Sequence, residues 1–171
     1  MKLKMIIASF IAVTAIFFTV NIQENRVEAS TNGQAAIASE YLEAYSYQFL
    51  GTRYVYGGTT ASGFDCSGYV GHIYKQFGID LQRTTSGMFE QGEGVAIADL
   101  QLGDLVFFKT TAARVGHVGI YLGNGQFIHS ATDKGVMVSS IYDPYYWNKR
   151  YVGAKRVANV TPLASLVASN N

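Results

Sequence analysis

Cysteine is almost missing from this chain of 171 residues, which has one, Cys66. One cysteine excludes an intramolecular disulfide, so the sulfur is inert, bound to a metal, paired with another molecule or reactive. Long apolar runs are scarce as well. The run Met5–Val20, behind Lys2 and Lys4, is short of the roughly 20 residues that a membrane-spanning helix needs. A basic start, a short apolar run and the small residue Ala29 after Val27-Glu28 form the pattern of an export signal over residues 1–29. The polar stretch Asn21–Ala29 is long for a cleavage region, so an uncleaved N-terminal anchor stays open. No cysteine follows the run to carry a lipid.

Charge of either sign is also in short supply. Without Lys2, Lys4, Glu24, Arg26 and Glu28, ten basic and ten acidic residues remain. That balance argues against nucleic acid as a partner, because phosphate binding needs a basic face. Lys149, Arg150, Lys155 and Arg156 form the only basic cluster, whose plain reading is a solvated strand or loop edge. The chain beyond residue 29 has the size of one domain with its own core. Residues 158–171 read as a loose C-terminal tail. An exported domain without disulfides is held by its core alone, and a free thiol kept there points to use.

What the chain does have is periodicity. Residues 34–50 carry Ile37, Tyr41, Ala44 and Tyr45 at helical spacing, and Gly51 is a plausible stop. The Gly- and Thr-rich residues 52–64 predict an irregular loop. A second helix is expected from Cys66 to Phe77, closed by Gly78, with Val70, Ile73, Tyr74 and Phe77 as its apolar stripe. Asp65 is a good N-cap, which sets Cys66 in the first turn. There the unpaired N–H groups and the positive dipole end favour a thiolate. Further on, residues 104–108, 117–122, 126–129, 135–139 and 151–157 read as strands. Helices first and antiparallel strands afterwards predict an α+β domain.

The segment Gly123-Asn124-Gly125 marks a hairpin. If all three residues form the loop, Leu122 pairs with Gln126 and Gly119 with His129. His117 then shares a face with His129 on a diagonal of about 7–8 Å. A two-residue Asn124-Gly125 turn would part the two rings. With the helix stripe packed on the same face, Cys66, His117 and His129 converge. Cys66 is then a nucleophile, His117 its base and later acid, and His129 the group that holds the imidazole. The Cys66 N–H is a natural oxyanion donor. Each residue alone has a plainer reading: Cys66 as a small core residue, the histidines as structural strand residues. A zinc site lacks close ligand pairs and a fourth ligand. His72, about 240° round the helix from Cys66, is expected to face solvent.

The segments Tyr54-Val55-Tyr56-Gly57-Gly58, Gly63-Phe64-Asp65-Cys66-Ser67-Gly68, Leu102-Gly103-Asp104-Leu105-Val106-Phe107-Phe108 and His117-Val118-Gly119-Ile120-Tyr121 resemble the NlpC-type cell-wall cysteine endopeptidases. With Asn124-Gly125-Gln126-Phe127-Ile128-His129-Ser130, the succession is similar to the Spr-type murein endopeptidases, over roughly residues 35–157. The resemblance implies a papain-like fold with the nucleophile helix on an antiparallel sheet, and a catalytic domain over residues 30–157. It implies hydrolysis of amide bonds in peptidoglycan stem peptides or their cross-links, outside the cytoplasm. It maps the family's catalytic residues onto Cys66, His117 and His129. The oxyanion tyrosine maps onto Tyr54, and the flanking residues that contact substrate in some members map onto Asp65 and Ser67. Helix capping is the alternative for Asp65, and a core aromatic for Tyr54.

No cofactor or metal is implied, and the membrane is met only through a retained N-terminal segment. Oligomeric state and the bond cut are left open. The chain departs from the family where Leu81-Gln82-Arg83-Thr84-Thr85 replaces a proline-containing segment, at Met88 and at Leu102. A silent wall-binding module, or an acyltransferase on the same fold, is the competing expectation.

Overall fold

The computed structural model describes residues 40–111 and 114–157. The expected export signal, Ile37 and the C-terminal tail lie outside the described residues. The first helix, α1, covers residues 40–47 and runs into turns ending at Gly51, whose φ of 77° supplies the left-handed exit. Its inward stripe is Leu42, Tyr45, Ser46 and Phe49, whereas the expected Tyr41 and Ala44 are exposed. Ser46 hid that stripe by interrupting its apolar pattern. It is tolerated because its Oγ donates to the Leu42 carbonyl at 2.7 Å and its own carbonyl accepts from Tyr69 Oη at 3.0 Å.

Residues 52–64 carry two short paired strands, β1 (Thr59–Thr60) and β2 (Gly63–Phe64). Helix α2 follows at Cys66–Gln76. Asp65 caps its start, accepting from the Gly68 N–H at 2.6 Å. At the other end Gly78, φ 70°, donates to Lys75 and Ile79 donates to Tyr74, which closes a Schellman motif. A five-residue helix, α3 (Thr85–Phe89), is capped by Thr84. Its brevity and its central Gly87 left no helical period to read.

Six strands form one antiparallel sheet. They are β3 (Glu93–Val95), β4 (Leu105–Thr111), β5 (Arg114–Gly123), β6 (Gln126–Ala131), β7 (Gly135–Ser140) and β8 (Tyr151–Arg156), in the order β3-β8-β4-β5-β6-β7. Helices α1 and α2 with this sheet make the α+β domain that the sequence predicts. Alternation along the strands splits the core into two layers. Leu105, Phe107, Val118, Ile120 and Ile128 pack against Val70, Ile73 and Tyr74 of α2 and its C-cap Phe77. Val106, Phe108, Tyr121 and Phe127 face the other way, under Ile141, Trp147 and Tyr151. Each fully buried side chain of this size contributes about 1.5–3 kcal/mol.

The β5–β6 hairpin corrects one expectation. Gln126 pairs with Gly123 rather than Leu122, so the turn is the two-residue Asn124-Gly125, with φ of 51° and 74°. A register shift between Tyr121 and Gly123, where Gly123 has φ 93°, inserts one residue and restores the alignment of Ile120 with Ile128. The short turn and the bulge cancel in parity, so His117 and His129 still share a face. No helix among the described residues is long and apolar enough to cross a membrane.

Candidate active site

Cys66 is the first residue of α2 and is 8% exposed. Its Sγ lies 3.6 Å from Thr85 Oγ1 and 3.9 Å from the Gly116 carbonyl. The N–H groups of Val118 and Ser67 are turned toward it. Burial pushes the thiol up, ahead of the opposing Thr85 hydrogen bond. The sulfur is therefore protonated at neutral pH, and the thiolate expected from the helix terminus alone is not the resting state.

His117 Nε2 lies 2.9 Å from His129 Nδ1, with the rings nearly perpendicular. His129 Nε2 lies 2.9 Å from Ser139 Oγ. Both imidazoles are buried, His129 completely. The indole of Trp147 packs on both, and Phe127 stacks on His129 at 4.7 Å. Burial pushes His117 down to about 4, and it pushes His129 down as well, with the neighbouring ring adding to the shift. Both are neutral at pH 7. A Cβ on Gly119 would lie 2.8 Å from the Ile128 carbonyl and 3.1 Å from His129 Cβ, so only glycine lets β5 come this close to His129.

The way these groups meet differs from the expected one. His117 opposes Phe108, and both histidines lie in the Phe108–Phe127–Trp147 layer, on the face away from α2. The meeting point is a seam rather than a face. The β5–β6 ladder stops at Ile120–Ile128. Beyond it β5 presents the Gly116 carbonyl to Cys66, while Ser130 of β6 donates to the Phe64 carbonyl at 2.9 Å. The start of α2 thus meets both strands past the end of their ladder. The sulfur approaches the seam from one side and the rings from the other. Among the described residues no hydrogen bond joins Sγ to an imidazole; the contact runs through Gly116, the residue before His117.

Tyr54, Asp65, Cys66, Ser67, Arg83, Thr85 and Gly116 line a cleft of about 520 Å³ over the sulfur. Asp65 is filled from within the protein. Its Oδ1 accepts from Gly68 N, Ser67 Oγ and Arg83 Nη1, and its Oδ2 from Gly57 N and Arg83 Nη2. Burial raises this carboxyl, but the Arg83 fork and the two N–H groups outweigh it and hold the group below its ordinary range. Ser67 Oγ also accepts from Arg83 Nη1 at 2.9 Å. Tyr54, half-buried, bridges to Phe64 and keeps its phenol on the cleft. Burial raises its pKa, and the nearby Cys66 and Asp65 add to the rise.

Sequence reasoning missed Arg83, Thr85, Trp147 and Ser139, which other elements carry in. A neighbouring cleft of about 470 Å³ lies on the ring side, lined by His117, His129, Ser139, Trp147, Lys109 and Lys134. His72 corrects another expectation. It faces away from the sulfur, yet it is half-buried, stacked on Tyr45 and edge-on to Phe49.

A cysteine at the tip of a helix, set against an antiparallel sheet that carries two paired histidines, defines a papain-like α+β domain. The chain belongs to the NlpC/P60 family, which residues 51–156 match. It is 45% identical over 123 residues to the murein DD-endopeptidase MepS/murein LD-carboxypeptidase of Escherichia coli, covering 71% of this chain and 63% of that protein. It is 40% identical to a probable endopeptidase NlpC homolog of Haemophilus influenzae, covering 84% of this chain and 72% of that one. The crystal structure of an NlpC/P60 family protein from Bacillus cereus superposes with a TM-score of 0.66 at 36% identity, over 70% of this chain and 40% of the other.

Proposed function

We propose that the protein is a thiol endopeptidase that hydrolyses amide bonds in the peptides of peptidoglycan, acting outside the cytoplasm through a catalytic domain at residues 30–157. The observation that carries this reading is the buried His117–His129 pair at 2.9 Å, directly beside the Gly116 carbonyl that meets Cys66 Sγ. The similarity to the E. coli murein endopeptidase supports the substrate class.

With thiol and imidazole both neutral, the base works during attack rather than before it. His117 Nε2 is engaged by His129, which leaves Nδ1 to take the thiol proton as Sγ adds to the substrate carbonyl. The developing oxyanion accepts from the Cys66 N–H at the head of α2, with the Tyr54 hydroxyl as the second donor. The Nδ1 proton then passes to the departing amine, which leaves a thioester on Cys66. Water, deprotonated by the same nitrogen, adds to the thioester; the C–S bond breaks, the acyl half leaves as a carboxylic acid, and the proton returns from Nδ1 to Sγ. Asp65 and Ser67, locked by Arg83, shape the acyl side of the cleft.

The test is incubation of residues 30–171 with defined muropeptides and identification of the products by mass spectrometry. Cleavage is expected to vanish in Cys66→Ala and to fall by at least a hundredfold in His117→Ala. Turnover surviving Cys66→Ala would overturn the proposal. The acid limb of kcat/KM is expected well below 6.5, because it reports the proton on His117, held down at about 4. A midpoint at 6.5 or above would contradict a neutral resting pair.

A further inference from the structure

We infer that Ser139 is a positioning residue that keeps the His129 ring aimed at His117 with its proton on Nε2. The inference rests on the reaction proposed above. His117, His129 and Ser139 stand on three successive strands, β5, β6 and β7, and each is one diagonal from the next. The two polar contacts along this line are both 2.9 Å.

His129 is fully buried, stacked on Phe127 and edge-on to Trp147. Those apolar contacts fix the plane of the ring but not its sense. A half-turn about the ring axis exchanges nitrogen for carbon of nearly equal size, and packing barely registers the change. Only the hydrogen bonds at Nδ1 and Nε2 do. Two anchors, at opposite edges, therefore hold an orientation that packing leaves undecided.

The same two anchors bear on the proton. For Nδ1 of His117 to take a proton from sulfur, its own hydrogen must sit on Nε2 and be donated to His129 Nδ1. The His129 proton is then on Nε2 of a fully buried ring, and needs an acceptor there. Ser139 Oγ is that acceptor. Remove it and the buried Nε2–H is unpaired, at the full desolvation cost of the donor. The pair escapes that cost by moving both protons: His129 donates from Nδ1, and His117 carries its hydrogen on the nitrogen that should be empty. Ser139 thus acts on the base through His129 without touching substrate.

The experiment uses the full chain labelled with ¹⁵N-histidine, comparing Ser139→Ala, Ser139→Thr and Ser139→Val, in which valine copies the shape of threonine without its hydroxyl. In the parent both rings are expected to show the Nε2–H signature, retained in Ser139→Thr. In Ser139→Ala and Ser139→Val the His129 proton is expected on Nδ1 or the ring flipped, with kcat down about tenfold and KM little changed. Wild-type ring signals and wild-type kcat in Ser139→Val would overturn the inference. Should Ser139→Ala fail to fold, the Thr and Val pair still decides it. The nitrogen signals do not depend on the substrate. A parent that cleaves no muropeptide while Ser139→Val shifts its protons would sink the proposed function and leave the positioning role standing.

Discussion

Asp65 receives five hydrogen bonds on two oxygens, from Gly57, Ser67, Gly68 and both terminal nitrogens of Arg83. One carboxylate therefore caps α2, pins the loop before β1 and fixes a guanidinium at the rim of the cleft. Arg83→Met leaves a nearly buried charge without its partner. It is expected to cost about 1–3 kcal/mol in urea-denaturation stability. Ser67→Ala should cost under about 1 kcal/mol, because Arg83 and Gly68 still fill Oδ1. Equal losses in the two variants would contradict this account of the network. Asp65 and Cys66 were legible in the sequence because capping is local: a carboxylate, then three residues to the N–H it accepts from. Arg83 and Thr85 were not. They reach the site from eighteen and nineteen residues away, Thr85 at the start of a short helix without a period and Arg83 just before its cap.

At the scale of elements, the β5–β6 hairpin governs whether two rings meet. Gly119→Ala would press a methyl against the Ile128 carbonyl and Phe127, so the strands must part where His129 needs them closest. The expected result is a loss of about 1–3 kcal/mol in stability, with kcat reduced at least tenfold and KM changed less. Steady-state kinetics beside thermal melts would check it, and unchanged kcat would show that the close approach is unimportant. The shared face of His117 and His129 was legible from parity, although the loop length assumed was wrong by one residue. A bulge made up that residue, and bulges leave little trace in composition. The side of the sheet was not legible at all. Alternation says which residues share a face, but only packing says which face α2 covers. The burial of His72 escaped notice for the same reason, since its partners Tyr45 and Phe49 belong to α1.

Across the whole molecule, two neutral histidines make folding sensitive to acid. The His117 pKa lies at about 4 in the fold against 6.5 in the free side chain, so between these values the unfolded chain binds more protons. Stability is fully present above pH 6.5 and is lost as pH falls toward 4, by roughly 3 kcal/mol for His117 alone. Urea midpoints at pH 7 and pH 4.5 should show the fall, and His117→Gln should reduce it, leaving the share that His129 carries; an equal fall in that variant would assign it elsewhere. A second weak point is Asp104, 2% exposed and held by Arg156 at 2.8 Å on each oxygen. Arg156→Ala is expected to cost about 3 kcal/mol by the same denaturation measurement, since it strands a charge inside. This pair ties the residue before β4 to the end of β8, so one ionic clasp reinforces the β4–β8 pairing in the sheet that carries the rings. The protonated, covered state of Cys66 has a consequence of its own. Peroxides and alkylating reagents attack the sulfur anion, so a thiol held protonated by burial is expected to react with them more slowly than a free cysteine. A protein with one thiol and no spare is thereby shielded from much of the damage that a standing anion would invite.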